Sequence, residues 1–162
     1  MIAGDCFGSN RPGRPGLRGQ TNLGGITMVD DREAITRTYA DYFRAFQSLD
    51  PEAILPYYSV PCLFLSPQGV FVIRDATEAR TLFGDMTKGL RARNYGRSEW
   101  ADLGVKQLSE NTAVVSARVI RYKADAAELE RFGATYMLRK TDSGWKIVTL
   151  TVHDADAVLE LA

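Results

Sequence analysis

The side chain best suited to move a proton near neutral pH is His153, the only histidine in the chain. An imidazole titrates close to physiological pH, whereas other side chains need a perturbed environment to do so. His153 stands at the end of the last predicted strand, and Asp154 follows it directly. Because consecutive residues of a strand point to opposite faces, Asp154 is poorly placed to orient the imidazole. His153 is a candidate general base, and a solvated or packed strand-end histidine is the alternative.

A second candidate site combines an acidic and a basic side chain on adjacent predicted strands. Trp100 and Asp102 alternate along one face of the first strand, and Arg118, Ile120 and Tyr122 alternate along the next. If both faces point inward, Asp102 and Arg118 pair inside a pocket, where Asp102 moves a proton and Arg118 holds a substrate carbonyl or carboxylate. Such a buried pair needs good geometry. If the faces point outward, the same residues contact solvent or a dimer partner.

The sequence does not support the other common kinds of catalytic site. One histidine and two distant cysteines, Cys6 and Cys62, make no convincing zinc site. Residues 29–162 contain no Gly-x-Gly-x-x-Gly, Walker-type or Gly-x-Ser-x-Gly motif. We therefore expect no metal and no cofactor.

Composition limits the partners and the location that can be expected. The net charge is +0, which gives no electrostatic reason to bind nucleic acid or an anionic membrane. No run approaches the roughly 18 apolar residues that a membrane helix needs. Two cysteines do not suggest a disulfide framework, so a reducing compartment and a cytoplasmic location are expected.

The first 28 residues differ in composition from the rest. They hold half of the chain's 14 glycines, together with several prolines and arginines. Such a stretch buries little apolar surface, so residues 1–28 are predicted to be a disordered tail and residues 29–162 a single domain. A basic tail for a polyanion and a true start at Met28 are the alternatives.

Apolar periodicity predicts three helices, a hairpin and four long strands. The first helix begins at Asp30 or Asp31, and Asp50 and Asp75 are the N-caps of the second and third. A hairpin turns at Ser66-Pro67-Gln68-Gly69, between the second and third helices. The strands are predicted near residues 62–65, 70–73, 97–108, 112–123, 130–140 and 145–153.

This order of elements, together with two local motifs, resembles a known superfamily. The motifs are residues 42–54 (YFRAFQSLDPEAI), followed by Tyr57-Tyr58, and the closing residues 144–148 (GWKIV). Over about residues 30–154 the chain is similar to nuclear transport factor 2-like proteins, especially SnoaL-like and ketosteroid-isomerase-like members. The resemblance implies an α+β fold, a cone-shaped barrel in which a strongly bent, mostly antiparallel sheet wraps around three N-terminal helices. It also implies an apolar pocket inside and a homodimer contact on the outer sheet face.

The resemblance also suggests site residues. The oxyanion tyrosine of ketosteroid isomerases falls on Tyr42, their second hydrogen-bond donor on Tyr136 and their catalytic base on Ser66. A serine is a poor base near neutral pH, so classical isomerase activity is not expected. The alternative for Tyr42 is a core aromatic residue on the helix stripe.

From these observations we expect a pocket that takes a small, largely apolar molecule. Tyr42 and Tyr136 would donate hydrogen bonds to its oxygen, and Asp102 or His153 would move the proton. Side chains expected to contact the ligand and exclude water are Tyr58, Phe64, Phe83, Met86, Trp100 and Arg118. The protein would be a cofactor-free isomerase, cyclase or lyase, with a non-catalytic homodimeric binding or scaffold module as the alternative. The dimer contact is expected at Thr135, Met137, Arg139, Val148, Leu150 and Val152.

Overall fold

The structure is a computed structural model that describes residues 30–161, so the predicted tail over residues 1–28 lies outside the described residues. The helical elements are α1 (Arg32–Gln47), α2 (Pro51–Ile54), a 3₁₀ turn (Leu55–Tyr57) and α3 (Ala76–Ala92). The strands are β1 (Tyr58–Ser66), β2 (Gly69–Ile73), β3 (Tyr95–Gln107), β4 (Thr112–Lys123), β5 (Glu128–Thr141) and β6 (Gly144–His153). Within residues 30–161 no helix is long and apolar enough to cross a membrane.

The second and third helices begin where their capping residues predict. The Asp50 carboxylate accepts a hydrogen bond from the backbone N–H of Glu52 at 3.0 Å, and Pro51 is the first residue of α2. The Asp75 carboxylate accepts from the N–H groups of Thr77 and Glu78 at 2.8 and 2.9 Å. These bonds satisfy backbone donors that have no partner within a helix, which fixes the two start points.

The six strands form one sheet in the order β2-β1-β6-β5-β4-β3. β1 and β6 run parallel, and every other neighbouring pair is antiparallel. The predicted four-strand meander is confirmed as β3 to β6, and the predicted α+β fold is confirmed. The sheet remains open, because β2 and β3 are separate edges.

The helices pack on the inner face of this sheet. Tyr39, Tyr42, Phe43 and Phe46 of α1 are all at most 6% exposed. On β4 the inner face presents small apolar residues at every second position: Ala113, Val115, Ala117 and Val119. Small side chains there leave room for the aromatic face of α1.

A bulge in β3 separates two residues that were predicted to share a face. The register against β4 shifts between Ala101 and Gly104, and Asp102 has a left-handed backbone with φ of 53°. The Trp100 ring therefore points inward, with its centroid 4.8 Å from that of Phe43. The Asp102 carboxylate instead pairs with Arg118 on the outer face, at 2.7 Å. The prediction that Trp100 and Asp102 point the same way is wrong.

A second bulge changes the outer face of β6. Met137 pairs with Thr149 and Leu138 with Ile147, so Val148 is an extra residue in the ladder. Leu150 and Val152 consequently turn inward and line the cavity described below. They were predicted on the outer face, and the one-residue slip explains the error.

The segment after β6 crosses the outer face of β3 and β4. The N–H of Leu159 donates to Oγ of Ser116 at 3.1 Å, and Nε of Arg118 donates to the Ala155 carbonyl at 3.0 Å. A Cβ added at Gly104 would lie 3.0 Å from Cβ of Leu161. The absence of a side chain at Gly104 therefore lets the segment pass close to β3. Residues 154–161 thus cover part of the outer face of β3 and β4.

Candidate functional site

A cavity of about 790 Å³ lies between the helices and the inner face of the sheet. Its wall is mostly apolar and is formed by Tyr42, Phe43, Phe46, Phe64, Leu82, Met86, Val119, Phe132, Tyr136, Leu150 and Val152. The polar members of the lining that are exposed to solvent are Gln68, Asp85, Arg131 and Asp154. These residues mark the opening of the cavity, beside the β1–β2 turn, α3 and the adjoining ends of β5 and β6.

A cluster of buried tyrosines forms one part of the wall. The Tyr58 hydroxyl donates a hydrogen bond to the Tyr42 hydroxyl at 3.0 Å. The ring centroids of Tyr42 and Tyr136 are 5.8 Å apart, and Tyr39 packs 5.3 Å from Tyr136. Tyr42 on α1 and Tyr136 on β5 are far apart in the sequence but are neighbours on the inner side of the sheet.

Burial raises the pKa of all four hydroxyls, so they remain protonated hydrogen-bond donors even at alkaline pH values where an exposed tyrosine ionises. For Tyr58 and Tyr136 burial is the largest cause, the proximity of Tyr42 adds to it, and the pKa rises well above the ordinary value. Burial also raises the pKa of Tyr42, but the hydrogen bond from Tyr58 and the positive charge of Arg121 oppose that rise. Tyr42 is consequently the position in the cluster where negative charge is best stabilised.

An arginine and a glutamate face each other across β4 and β5 in the same cavity. Arg121 bonds to the Glu130 carboxylate at 2.7 Å, and Arg93 bonds to its other oxygen at 2.7 Å. The Arg121 guanidinium carbon lies 5.0 and 4.8 Å from the ring centroids of Phe46 and Phe132. Burial opposes ionisation of Glu130, but hydrogen bonds from the two arginines outweigh it and lower the pKa of the carboxyl.

The structure brings part of the predicted site together. The cavity is lined by Tyr42, Tyr136, Phe64, Met86 and His153. Tyr58 and Phe83 lie directly behind this wall, with their ring centroids 4.9 Å apart.

Three predicted residues lie elsewhere. Trp100 packs against the lining residue Phe43 but does not itself line the cavity. Asp102 and Arg118 form their ion pair on the outer face, where Arg118 also bonds to the Ala155 carbonyl. Neither member of that pair lines the cavity.

His153 lies at the edge of the cavity with both ring nitrogens engaged. Nε2 is 2.9 Å from Oγ1 of Thr135, and Nδ1 is 2.9 Å from the backbone oxygen of Asp154. The imidazole rests over Gly133, where a Cβ would lie only 2.2 Å from its Cε1 atom. Ser66, at the position of the isomerase base, also lines the cavity, and its Oγ accepts from the N–H of Gln68 at 3.2 Å.

Sequence reasoning missed Arg121 and Glu130. Both were available from the predicted strands, because Arg121 alternates in step with the apolar Ala117 and Val119 of the inner face. Glu130 stands opposite Arg121 across the predicted turn. The pocket was instead predicted on the face of β4 that carries Arg118 and Tyr122, which is the opposite face of the strand.

Comparison with known proteins identifies the family and supports the fold. Residues 31–155 match the model of a family described as NTF2-like protein (DUF6841). No curated protein matches the chain.

Several solved structures share the fold. An NTF2-like protein with a cystatin-like fold from Novosphingobium aromaticivorans is 19% identical with a TM-score of 0.66, over 88% of this chain and 94% of that one. An NTF2-like protein of unknown function from Shewanella oneidensis is 16% identical with a TM-score of 0.62, over 75% and 98%. A ketosteroid isomerase-like protein from Erwinia carotovora is 16% identical with a TM-score of 0.58, over 76% and 95%. At these identities the likeness establishes the fold, and the family match establishes membership: the chain belongs to the NTF2-like family DUF6841.

Proposed function

We propose that the cavity binds a small, largely apolar molecule through an acceptor oxygen that takes a hydrogen bond from Tyr42. The observation that carries this proposal is the position of Tyr42, which lines the cavity while Tyr58, its hydrogen-bond partner, lies behind it. Because the Tyr42 oxygen accepts from Tyr58, its own proton remains available for a ligand. A carbonyl or enolate oxygen is the matching acceptor.

The surroundings of Tyr42 strengthen such a bond. Tyr42 is 4% exposed and lies among aromatic side chains, so a bound oxygen would meet few competing water molecules. Hydrogen bonds in series polarise one another, and charge that develops on the ligand oxygen is shared with Tyr42 and Tyr58. Donors fixed in a dry site stabilise developing negative charge without reorganising.

Turnover as a cofactor-free isomerase, cyclase or lyase would also need a group that moves a proton. Two lining side chains could supply it: Asp85 on α3, and His153 at the edge once one of its ring nitrogens leaves its hydrogen bond to Thr135 or to the Asp154 backbone oxygen. Ser66 lacks the basicity, and Glu130 is held in its charged form by two arginines. Ligand binding is therefore the primary proposal. Catalysis would require, in addition, proton transfer through His153 or Asp85.

The test compares two ligands of nearly equal shape, 2-acetylnaphthalene and 2-ethylnaphthalene, which differ by one carbonyl oxygen. We expect the ketone to bind more tightly and Tyr42→Phe to weaken its binding about tenfold, equivalent to ~1.4 kcal/mol for one buried hydrogen bond. Binding of 2-ethylnaphthalene should change little. The measurement is quenching of the protein's tryptophan fluorescence.

Tyr122→Phe is the matched control, because Tyr122 lies on the other face of β4 from the cavity and packs on Arg97. It should leave both affinities unchanged. Equal affinity for the two ligands, or no effect of Tyr42→Phe on the ketone, would contradict the proposal.

A second candidate function is a non-catalytic homodimeric binding or scaffold module. The observation that favours it is an apolar patch on the outer face of the hairpin, formed by Leu63, Val70 and Val72, which are 39%, 64% and 49% exposed. We refer to these three residues as the hairpin patch. Exposed apolar groups of this kind commonly mark an interface.

A further inference from the structure

A positive charge is built into the wall of the cavity. The Arg121 side chain is only 15% exposed and lines the same space as Tyr42 and Phe132. Removing a guanidinium from water is costly unless its charge and its donors are matched. An arginine in a largely apolar cavity therefore indicates that the ligand carries a negatively charged group.

The charges around Arg121 do not balance among the described residues. One carboxylate, Glu130, is shared between Arg121 and Arg93, so the three groups together keep one positive charge. The other carboxylates of the lining, Asp85 and Asp154, are exposed to solvent and pair with neither arginine. Arg93 is 48% exposed and does not line the cavity, so solvent balances part of this positive charge, and the remainder favours an anion beside Arg121.

The hydrogen bonds of Arg121 are also incomplete. Its Nε is shielded from solvent and has no hydrogen-bond partner within residues 30–161. Buried donors normally have partners, so the protein leaves part of the hydrogen-bonding capacity of this guanidinium unused. Arg121 and Tyr42 both line the cavity and both lie against the Phe46 ring, at 5.0 and 6.3 Å from its centroid. The charge of Arg121 acts on the Tyr42 hydroxyl, where it opposes the rise in pKa that burial causes, so the two groups act on the same part of the cavity.

We propose that the cavity selects a planar, mostly apolar carboxylate, whose charged group lies between Arg121 and Tyr42. The apolar body would pack along Phe46, Phe132 and Leu150, all of which line the cavity. A carboxylate matches the single unbalanced charge and can accept from a guanidinium and a hydroxyl together. This inference rests on the proposed binding function and names the class of its ligand.

The test uses 2-naphthoate and 2-naphthamide, which have nearly the same shape but differ by one charge. At pH 8 and fixed ionic strength we expect the wild-type protein to bind the carboxylate about tenfold more tightly than the amide. Arg121→Met keeps an apolar side chain between the two phenylalanines and should abolish this preference. Arg121→Lys keeps the charge and should retain part of it.

Arg118→Met is the matched control, because Arg118 is ion-paired on the outer face with Asp102 and does not line the cavity. It should keep the full preference. Equal binding of the two ligands by the wild-type protein overturns the inference, as does a preference that survives Arg121→Met. The wild-type comparison needs no variant, so a variant that fails to fold leaves the test decisive.

The same ligand series separates the two proposals. If the carboxylate shows no preference while the ketone still binds through Tyr42, the anion selectivity fails and the proposed function stands. If no naphthalene ligand binds, both fail.

Discussion

At the scale of single residues, the tyrosine cluster links the candidate site to stability. Four hydroxyls, those of Tyr39, Tyr42, Tyr58 and Tyr136, are kept neutral by burial. The residues that make Tyr42 a good donor therefore also couple folding to protonation, because the unfolded chain releases these protons at a lower pH than the folded chain.

We predict that the protein loses stability at alkaline pH. In the unfolded chain Cys62 and the tyrosines ionise near pH 9.0 and 10.0, whereas burial raises the folded pKa of Cys62 to about 11 and raises those of the clustered tyrosines. Stability from these groups is fully present below the unfolded values and falls as pH rises through and above them. Urea unfolding at a series of pH values should show the free energy of unfolding declining from about pH 9.

The ultraviolet absorbance of tyrosinate provides an independent check. Of the chain's seven tyrosines, the four in the cluster should stay protonated until the protein unfolds at high pH. In urea, where the chain is already unfolded, all seven should titrate together. A native protein whose seven tyrosines ionise together near pH 10 before it unfolds would refute the prediction.

The candidate site was only partly predictable at this scale. Tyr42 and Tyr136 were found because the resemblance supplies positions that are separated by most of the chain. Arg121 was missed because the predicted Asp102–Arg118 pair assigned the opposite face of β4 to the pocket. Its alternation with the buried Ala117 and Val119 distinguishes Arg121 from Arg118 in the sequence. In the structure, its register with Glu130 and its contacts with two phenylalanines do so as well.

At the scale of secondary-structure elements, patterns in the sequence predicted every helix and strand, with one boundary wrong: residues 58–61 were predicted to end the second helix but begin β1. Caps at Asp50 and Asp75 mark the helix starts, and alternation marks the long strands of the meander. The two bulges left no comparable signal, because a bulge depends on the pairing of two strands. Each bulge inverts the side-chain parity beyond it. This is why Asp102 was wrongly placed on the same face as Trp100, and why Leu150 and Val152 were assigned to the outer face.

The ends of β5 and β6 meet through a close contact that allows a sharp prediction. A Cβ at Gly133 would lie 2.2 Å from the His153 ring and 2.6 Å from the backbone oxygen of Asp154. Gly133→Ala must therefore displace the imidazole and the backbone after it. We expect a loss of about 1–3 kcal/mol in the free energy of unfolding, the range found for overpacked sites.

Gly89→Ala is the matched control for this substitution. Gly89 lies inside α3, and a Cβ there would meet nothing within 4 Å, so alanine should stabilise the helix by roughly 0.5–1 kcal/mol. Both variants can be measured by urea unfolding. If Gly133→Ala is as stable as the wild-type protein, the packing of His153 on Gly133 does not constrain this corner of the sheet.

At the scale of the whole molecule, the two faces of the sheet are used differently. The inner face carries the helices and the cavity. The outer face is covered by residues 154–161 over β3 and β4, whereas the hairpin patch on β1 and β2 stays exposed. If the protein is a dimer, the contact should therefore lie away from β3 and β4. The outer face of β5, with Thr135, Met137 and Arg139, stays a predicted contact, and the exposed apolar side chains of the hairpin patch favour a contact there.

We predict that the protein is a homodimer at micromolar concentration and that Val72→Glu makes it monomeric. A carboxylate buried in an apolar contact would lack a partner, and its desolvation would oppose association. Leu108→Glu is the matched control, because Leu108 is also 49% exposed but lies at the β3–β4 turn, away from the hairpin patch. Native mass spectrometry should give a dimer of the 17.9 kDa chain for the wild-type protein and for Leu108→Glu.

The same spectra bear on the cavity, because native ionisation retains tightly bound small molecules. A monomeric wild-type protein would remove the scaffold candidate and leave the cavity as the main functional feature. A dimer disrupted equally by both glutamate variants would place the contact elsewhere on the surface.

A dimer lost only in Val72→Glu would fix the interface on the hairpin, whose turn residues Pro67 and Gln68 also line the opening of the cavity. Association would then hold the rim of the cavity in place, and ligand affinity should fall together with dimerisation in Val72→Glu.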